Sequence, residues 1–128
     1  MDVLGSLLMA NILAVDDSVA IRTLMQVVLE GAGHTVFLFE NGRLALDFAR
    51  GHSVDLVITD LNMPEMGGMS LVSHLRRMEE YKSKPILVIT TETADYKKQK
   101  AKTIGATGWI AKPVDKDRLL KAVERTVG

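Results

Sequence analysis

Two adjacent aspartates, Asp16 and Asp17, stand directly after the apolar run Ile12–Val15, and Asp60 stands directly after Leu56–Thr59. Thr90 closes the run Ile86–Thr90, and Lys112 follows Gly108–Ala111. If these runs are parallel strands, all five polar residues collect at one edge of a sheet. Three carboxylates gathered there repel one another unless a cation is bound or some are protonated. Oxygen donors without sulfur or a histidine cluster suit Mg²⁺, or Mn²⁺, and not structural zinc. Lys112 is then either a structural counter-ion or a group that neutralises phosphoryl oxygens, with Thr90 donating its hydroxyl to the same oxygens. Carboxylate, divalent cation, lysine and hydroxyl are the parts of a small phosphoryl-transfer site. Two chemistries fit this pattern equally: attack of Asp60 on phosphorus, or activation of water against a bound phosphate ester.

Five elements must hold these residues. Ile12–Val15, Val36–Phe39, Leu56–Thr59, Ile86–Thr90 and Gly108–Ala111 are short, rich in Val and Ile, and nearly continuous in apolar character, which predicts strands covered on both faces. Helix-length segments separate them. Ser18 is the expected N-cap of the first, with Val19, Leu24, Val27, Val28 and Ala32 as its apolar stripe and Gly31 and Gly33 at its exit. Asn41 caps the second, which carries Leu44, Ala45, Phe48 and Ala49 and ends at Gly51; the third carries Leu71, Val72, Leu75 and Met78. The fourth, Thr93–Ile104, has only Ala94, Ala101 and Ile104 as a thin apolar face among Lys97, Lys98, Lys100 and Lys102, so it is expected to be the least firmly packed. The fifth starts near Asp115 or Asp117 and buries Leu119, Leu120, Val123 and Val127. Alternating strands and helices joined by right-handed crossovers predict an α/β domain, a doubly wound parallel sheet with helices on both faces. Ligands in such sheets bind beyond the carboxyl ends of the strands, where strand order reverses.

Composition narrows the classes. With 128 residues, 47% of them apolar, the chain suits one domain with a sizeable core. It has no cysteine, which excludes disulfides, thiolate metal sites and cysteine nucleophiles and suits a reducing, cytoplasmic setting. Zero formal net charge argues against nucleic acid as partner. The charge is uneven, however: residues 1–90 hold seven Lys and Arg against eleven Asp and Glu, and residues 91–128 hold nine against five. A basic surface in the last third facing an acidic partner follows as an expectation. The apolar runs are strand-sized, well short of the ~20 residues that span a bilayer, so no membrane insertion is expected. Met1–Ala10 lacks a positive n-region and is read as a short extension preceding a single domain over residues 11–128. His34, His52 and His74 show no ligand spacing and are assigned to the surface or its boundary.

From Asn11 to Val127 the chain resembles the receiver domains of bacterial two-component systems. The motifs are Ile-Leu-Ala-Val-Asp16-Asp17-Ser18, Asp55-Leu-Val-Ile-Thr-Asp60-Leu-Asn62-Met63-Pro64-Glu65-Met66-Gly67-Gly68, Thr90-Thr91-Glu92 and Gly105-Ala-Thr-Gly-Trp109-Ile-Ala-Lys112-Pro113. Within that family it looks most like the stand-alone chemotaxis regulators, because no effector domain follows Val127. The resemblance implies a flavodoxin-like sheet of order 2-1-3-4-5 and a cis peptide between Lys112 and Pro113. It implies that Asp60 becomes an aspartyl phosphate, that Mg²⁺ is bound directly by Asp17, largely through water by Asp16, and by the Asn62 carbonyl, and that Lys112 and Thr90 contact the phosphoryl group. The donor would be a sensor histidine kinase or a small molecule such as acetyl phosphate, with slow self-catalysed hydrolysis afterwards. Output would pass through Thr90, Thr91, Glu92 and Trp109 to a phosphorylation-dependent protein target such as a flagellar motor switch, with the domain acting as a monomer. Three positions depart from the family pattern. Trp109 stands where receivers usually have Tyr or Phe, Thr91 where they have Ala or Gly, and Gly67 where chemotaxis regulators carry Asp.

Competing readings are a phosphorelay intermediate that passes its phosphoryl group to a histidine phosphotransfer protein, a Mg²⁺-dependent small-molecule phosphatase, and a binding module with a vestigial acidic patch. The short connections leave little material for the lid a phosphatase needs. Retention of Asp17, Asp60, Thr90 and Lys112 together argues against the vestigial module.

Overall fold

Val, Ile and Leu fill the five short runs, and all five pair in one parallel sheet. In this computed structural model, which describes residues 9–91 and 95–127, the strands are β1 (Asn11–Val15), β2 (Thr35–Phe39), β3 (Leu56–Asp60), β4 (Ile86–Thr90) and β5 (Gly108–Ala111). Their order is β2-β1-β3-β4-β5. The helices are α1 (Val19–Gly31), α2 (Gly42–Gly51), α3 (Gly68–Arg76), α4 (Asp95–Thr103) and α5 (Lys116–Val127), with a 3₁₀ turn at Glu79–Tyr81. The chain starts at β1, steps outward to β2, then returns past β1 to β3. Right-handed crossovers in opposite directions place helices on opposite faces. Side-chain alternation confirms this: Ile12, Ala14, Leu56, Ile58, Ile89 and Ile110 pack with Met25, Val28, Leu29, Leu119 and Val123 of α1 and α5. Leu13, Val15, Val57 and Val88 pack on the other side with Ala45, Leu46, Leu71, Leu75 and Ala101.

Every residue of β3 and β4 is buried, as strands covered on both faces require. Three helix starts are capped by the expected side chains: Ser18 Oγ accepts from Ile21 N at 3.3 Å, Asn41 Oδ1 from Leu44 N at 2.9 Å, and Asp115 Oδ1 from Arg118 N at 2.8 Å.

The stripe expected on α1 is corrected. Val19 and Val27 are exposed, and the buried residues are Met25, Val28 and Leu29. At about 3.6 residues per turn, Val19 lies opposite Val28, so both cannot face the sheet. Leu44 of α2 is exposed as well, with Leu46 buried in its place. On α4 Ala101 is buried while Gln99, Lys100, Lys102 and Thr103 are exposed; Ala94 lies outside the described residues. The Lys112–Pro113 bond is cis, in agreement with the resemblance. Among the described residues no helix is long and apolar enough to cross a membrane.

Arg76 has a role the sequence did not signal. From the end of α3 its guanidinium donates to the carbonyls of Tyr81 (2.6 Å), Lys84 (2.6 Å) and Gly105 (2.9 Å), tying the α3–β4 connection to the α4–β5 connection at the end of the sheet away from the aspartates. Tyr81 is buried and donates its hydroxyl to the His52 carbonyl at 2.6 Å, which joins the turn after α3 to the end of α2.

Candidate phosphoryl-transfer site

Strand register alone assembles the site. Val15 pairs with Thr59, so Asp16 and Asp60 occupy the next step on neighbouring strands; Asp60 pairs with Ile89, and Thr90 with Ala111. Thr90 and Lys112 therefore each lie one step further along, and Lys112 N donates to the Thr90 carbonyl at 3.0 Å. The aspartates sit on both sides of the place where strand order reverses, the crevice in which parallel sheets bind ligands.

Asp16, Asp17 and Asp60 each bring a carboxylate oxygen within 4.8 Å of the others. Asp16 is wholly buried and Asp60 3% exposed, while Asp17 is exposed. Lys112 Nζ stands 3.4 Å from Asp60 Oδ2, a charge contact longer than a typical hydrogen bond. One lysine does not neutralise three acids. Burial pushes the Asp16 carboxyl up to about 6; the Ser18 N–H opposes this, Asp60 adds to it, Lys112 opposes, and Asp17 adds the least. Asp16 Oδ1 accepts from Ser18 N at 2.8 Å, whereas its Oδ2 is buried without a hydrogen-bond partner among the described residues. A buried acceptor left unmatched is costly. Three hard oxygen donors, one of them in need of a partner, fit a divalent cation such as Mg²⁺.

The connection after β3 holds Asp60 in place. Gly68 N donates to the Leu61 carbonyl at 2.9 Å, and a Cβ on Gly68 would collide with the Asp60 carbonyl and the Leu61 Cα. Backbone cannot yield as a flexible side chain does, so α3 starts here only because residue 68 is glycine. The G68A substitution is expected to cost about 1–3 kcal/mol and to slow phosphorylation as well, since its strain falls on the residue carrying the carboxylate. Thermal unfolding and adduct formation measure the two effects, and loss of stability with an unaltered rate would refute the link to Asp60.

The remaining expected residues are placed as follows. Asn62 is exposed, two residues beyond Asp60, and Thr91 is exposed beside the buried Thr90. Glu92 lies outside the described residues. Trp109 is 43% exposed, facing outward from β5, and with Arg118, Lys121 and Arg125 of α5 it lines a groove of about 290 Å³. Arg22, which motif reading passed over, donates from its guanidinium to the Asp16 carbonyl at 2.7 Å. The available signal was a cation one turn into the helix that follows Asp16-Asp17-Ser18.

A family model described as "Response regulator receiver domain" matches residues 12–124. Protein PilH of Pseudomonas aeruginosa is 35% identical over 115 residues, covering 90% of this chain and 95% of that protein. A chemotaxis protein CheY homolog of Campylobacter jejuni is 34% identical over 120 residues, covering 92% of each. Among solved structures, the chemotaxis response regulator CheY4 of Vibrio cholerae superposes with a TM-score of 0.89 at 45% identity, covering 92% of this chain and 98% of that one.

Proposed function

Since this chain belongs to the response regulator receiver-domain family, we propose that it accepts a phosphoryl group on Asp60 in a Mg²⁺-dependent reaction and presents the change to a protein partner. The observation that carries this reading is the position of Asp60: it is the carboxylate beside Lys112, and it lies within 4.8 Å of two further acids. In the proposed reaction an Asp60 carboxylate oxygen attacks phosphorus, and the bond from phosphorus to the donor's leaving group breaks as the new P–O bond forms. Lys112 and the Thr90 hydroxyl stabilise the transferred oxygens. Asp17 and Asp60 would hold Mg²⁺ directly, Asp16 largely through water, and the Asn62 carbonyl would complete the set. Mg²⁺, when bound, offsets the charge of acids and phosphoryl oxygens together. A phosphohistidine on a sensor kinase, or acetyl phosphate, is the donor, and water hydrolyses the product slowly.

The proposed setting is cytoplasmic signalling by a monomer, in chemotaxis or a related pathway, with residues 1–10 as an extension to the receiver unit. Incubation with acetyl phosphate should add the mass of one phosphoryl group in Mg²⁺ and none in chelator. Equal yield in both would refute the metal dependence, and no adduct under any condition would refute the acceptor role.

Output on the α4, β5 and α5 face rests on the half-exposed Trp109 and the basic groove beside it. Trp109 is the sole tryptophan, so its fluorescence reports one place. Adding beryllofluoride to the Mg²⁺-bound protein should draw Thr90 toward the new oxygens and shift the indole inward. T90A should still take up the phosphoryl group but give a smaller fluorescence change and weaker phosphorylation-dependent partner binding, by the ~1–3 kcal/mol typical of coupled sites. An unchanged Trp109 indole NMR signal at full beryllofluoride occupancy would defeat the switch and leave a phosphoryl carrier.

A further inference from the structure

We propose that Arg22 is a positioning residue of this site, a clamp that fixes Asp16 and Asp17 for Mg²⁺; the proposal rests on the metal-binding reading above. The Asp16 N–H donates to the Phe39 carbonyl of β2 at 3.1 Å, its carbonyl accepts from Arg22 at 2.7 Å, and its Oδ1 accepts from Ser18 N at 2.8 Å. Oδ2 is the remaining polar atom and stays buried without a hydrogen-bond partner among the described residues. The side chain therefore has little freedom to swing Oδ2 away from the cluster.

The clamp also spans Asp17. Arg22 N donates to the Ser18 carbonyl at 3.0 Å while the Arg22 guanidinium holds the Asp16 carbonyl. The carbonyls on either side of Asp17 are thus tied to one residue, although Asp17 itself is exposed. Acids that repel one another spread apart unless the backbone beneath them is held. A guanidinium suits this task because its planar donors stay charged at every relevant pH.

Charge and positioning predict opposite signs. Arg22 is a cation near an acidic cluster, so if only its charge mattered, removing it would tighten the binding of a dication. If it positions the ligands, removing it weakens binding, by the roughly 10–100-fold typical of groups that orient metal ligands. The experiment is calorimetric titration of Mg²⁺ into parent, R22M and R22K without phosphodonor, with thermal unfolding in Mg²⁺-free buffer as a check on folding. R22M keeps the apolar stem and loses charge and donor; it should bind Mg²⁺ about 10-fold or more weakly. R22K can reach the same carbonyl and should recover most of the affinity. With acetyl phosphate, R22M should need more Mg²⁺ for half-maximal rate yet retain the rate at saturation. R22Q, neutral and shorter, takes the place of R22M if that variant does not fold. Unchanged or tighter Mg²⁺ binding in a folded neutral variant overturns the clamp and leaves the phosphoacceptor reading intact. A parent that binds Mg²⁺ but takes no phosphoryl group overturns that reading and leaves the clamp. A parent that binds no Mg²⁺ overturns both.

Discussion

D60N, incubated with acetyl phosphate and Mg²⁺, is expected to carry no phosphoryl adduct and to remain folded. The amide keeps the shape of the carboxylate but its oxygen is no nucleophile, so capture falls below detection instead of merely slowing. Asp16 and Asp17 are not substitutes. Asp16 commits Oδ1 to Ser18 N, and Lys112 stands against Asp60 Oδ2. The fold should survive because two effects oppose. Asp60 lies within 4.8 Å of two like charges, so its neutralisation relieves repulsion. Lys112 loses its neighbour, but its side chain is 24% exposed and stays partly solvated. Intact mass and thermal unfolding in Mg²⁺-free buffer check the two halves. An adduct of parental yield on D60N would place the acceptor at another residue.

Stability against pH carries the second large effect. The Asp16 carboxyl is pushed from the ordinary 3.8 to about 6, chiefly by burial, so between those values the folded protein holds a proton that the unfolded chain has released. Its contribution is fully present below about 4 and is lost as pH rises through 6. At about 1.4 kcal/mol per pH unit, that window corresponds to on the order of 3 kcal/mol. In Mg²⁺-free buffer D16N should therefore match the parent near pH 4 and exceed it by about that amount at pH 7.5. Asparagine resembles the protonated acid, with an oxygen for Ser18 N and a donor in place of Oδ2. Mg²⁺ should narrow the gap, because a ligand at free concentration L that binds only the folded state stabilises it by RT ln(1 + L/Kd) and the parent keeps the full set of carboxylates. Denaturant titrations at the two pH values, with and without Mg²⁺, give the comparison. A parent-to-variant difference that does not change with pH would rule out Asp16 as the titrating group.

The strands, the helix caps and the membership of the acidic cluster were legible along the chain. Each depends on local information: an apolar run of strand length, a Ser, Asn or Asp at a helix start, an acid just past a strand end. Predicted and observed strand bounds agree to within one residue. Parallel pairing then carries Asp16, Asp60, Thr90 and Lys112 to one edge, since in a parallel sheet all the carboxyl ends lie on the same side.

Other features were decided only in three dimensions. Val19 and Val27 are as apolar as Val28, and composition did not say which of them faces the sheet; the seat of α1 on β1 and against α5 decides it. The need for glycine at position 68 comes from the approach of α3 to the Asp60 carbonyl. The roles of Arg22 and Arg76 exist only once folding brings backbone carbonyls to their guanidinium groups. Asp16 itself was identifiable from its place after a strand, but its raised pKa and unpartnered oxygen were not. Those follow from desolvation and from the distances to Asp17, Asp60 and Lys112, set by strands that lie far apart in the chain and side by side in the sheet.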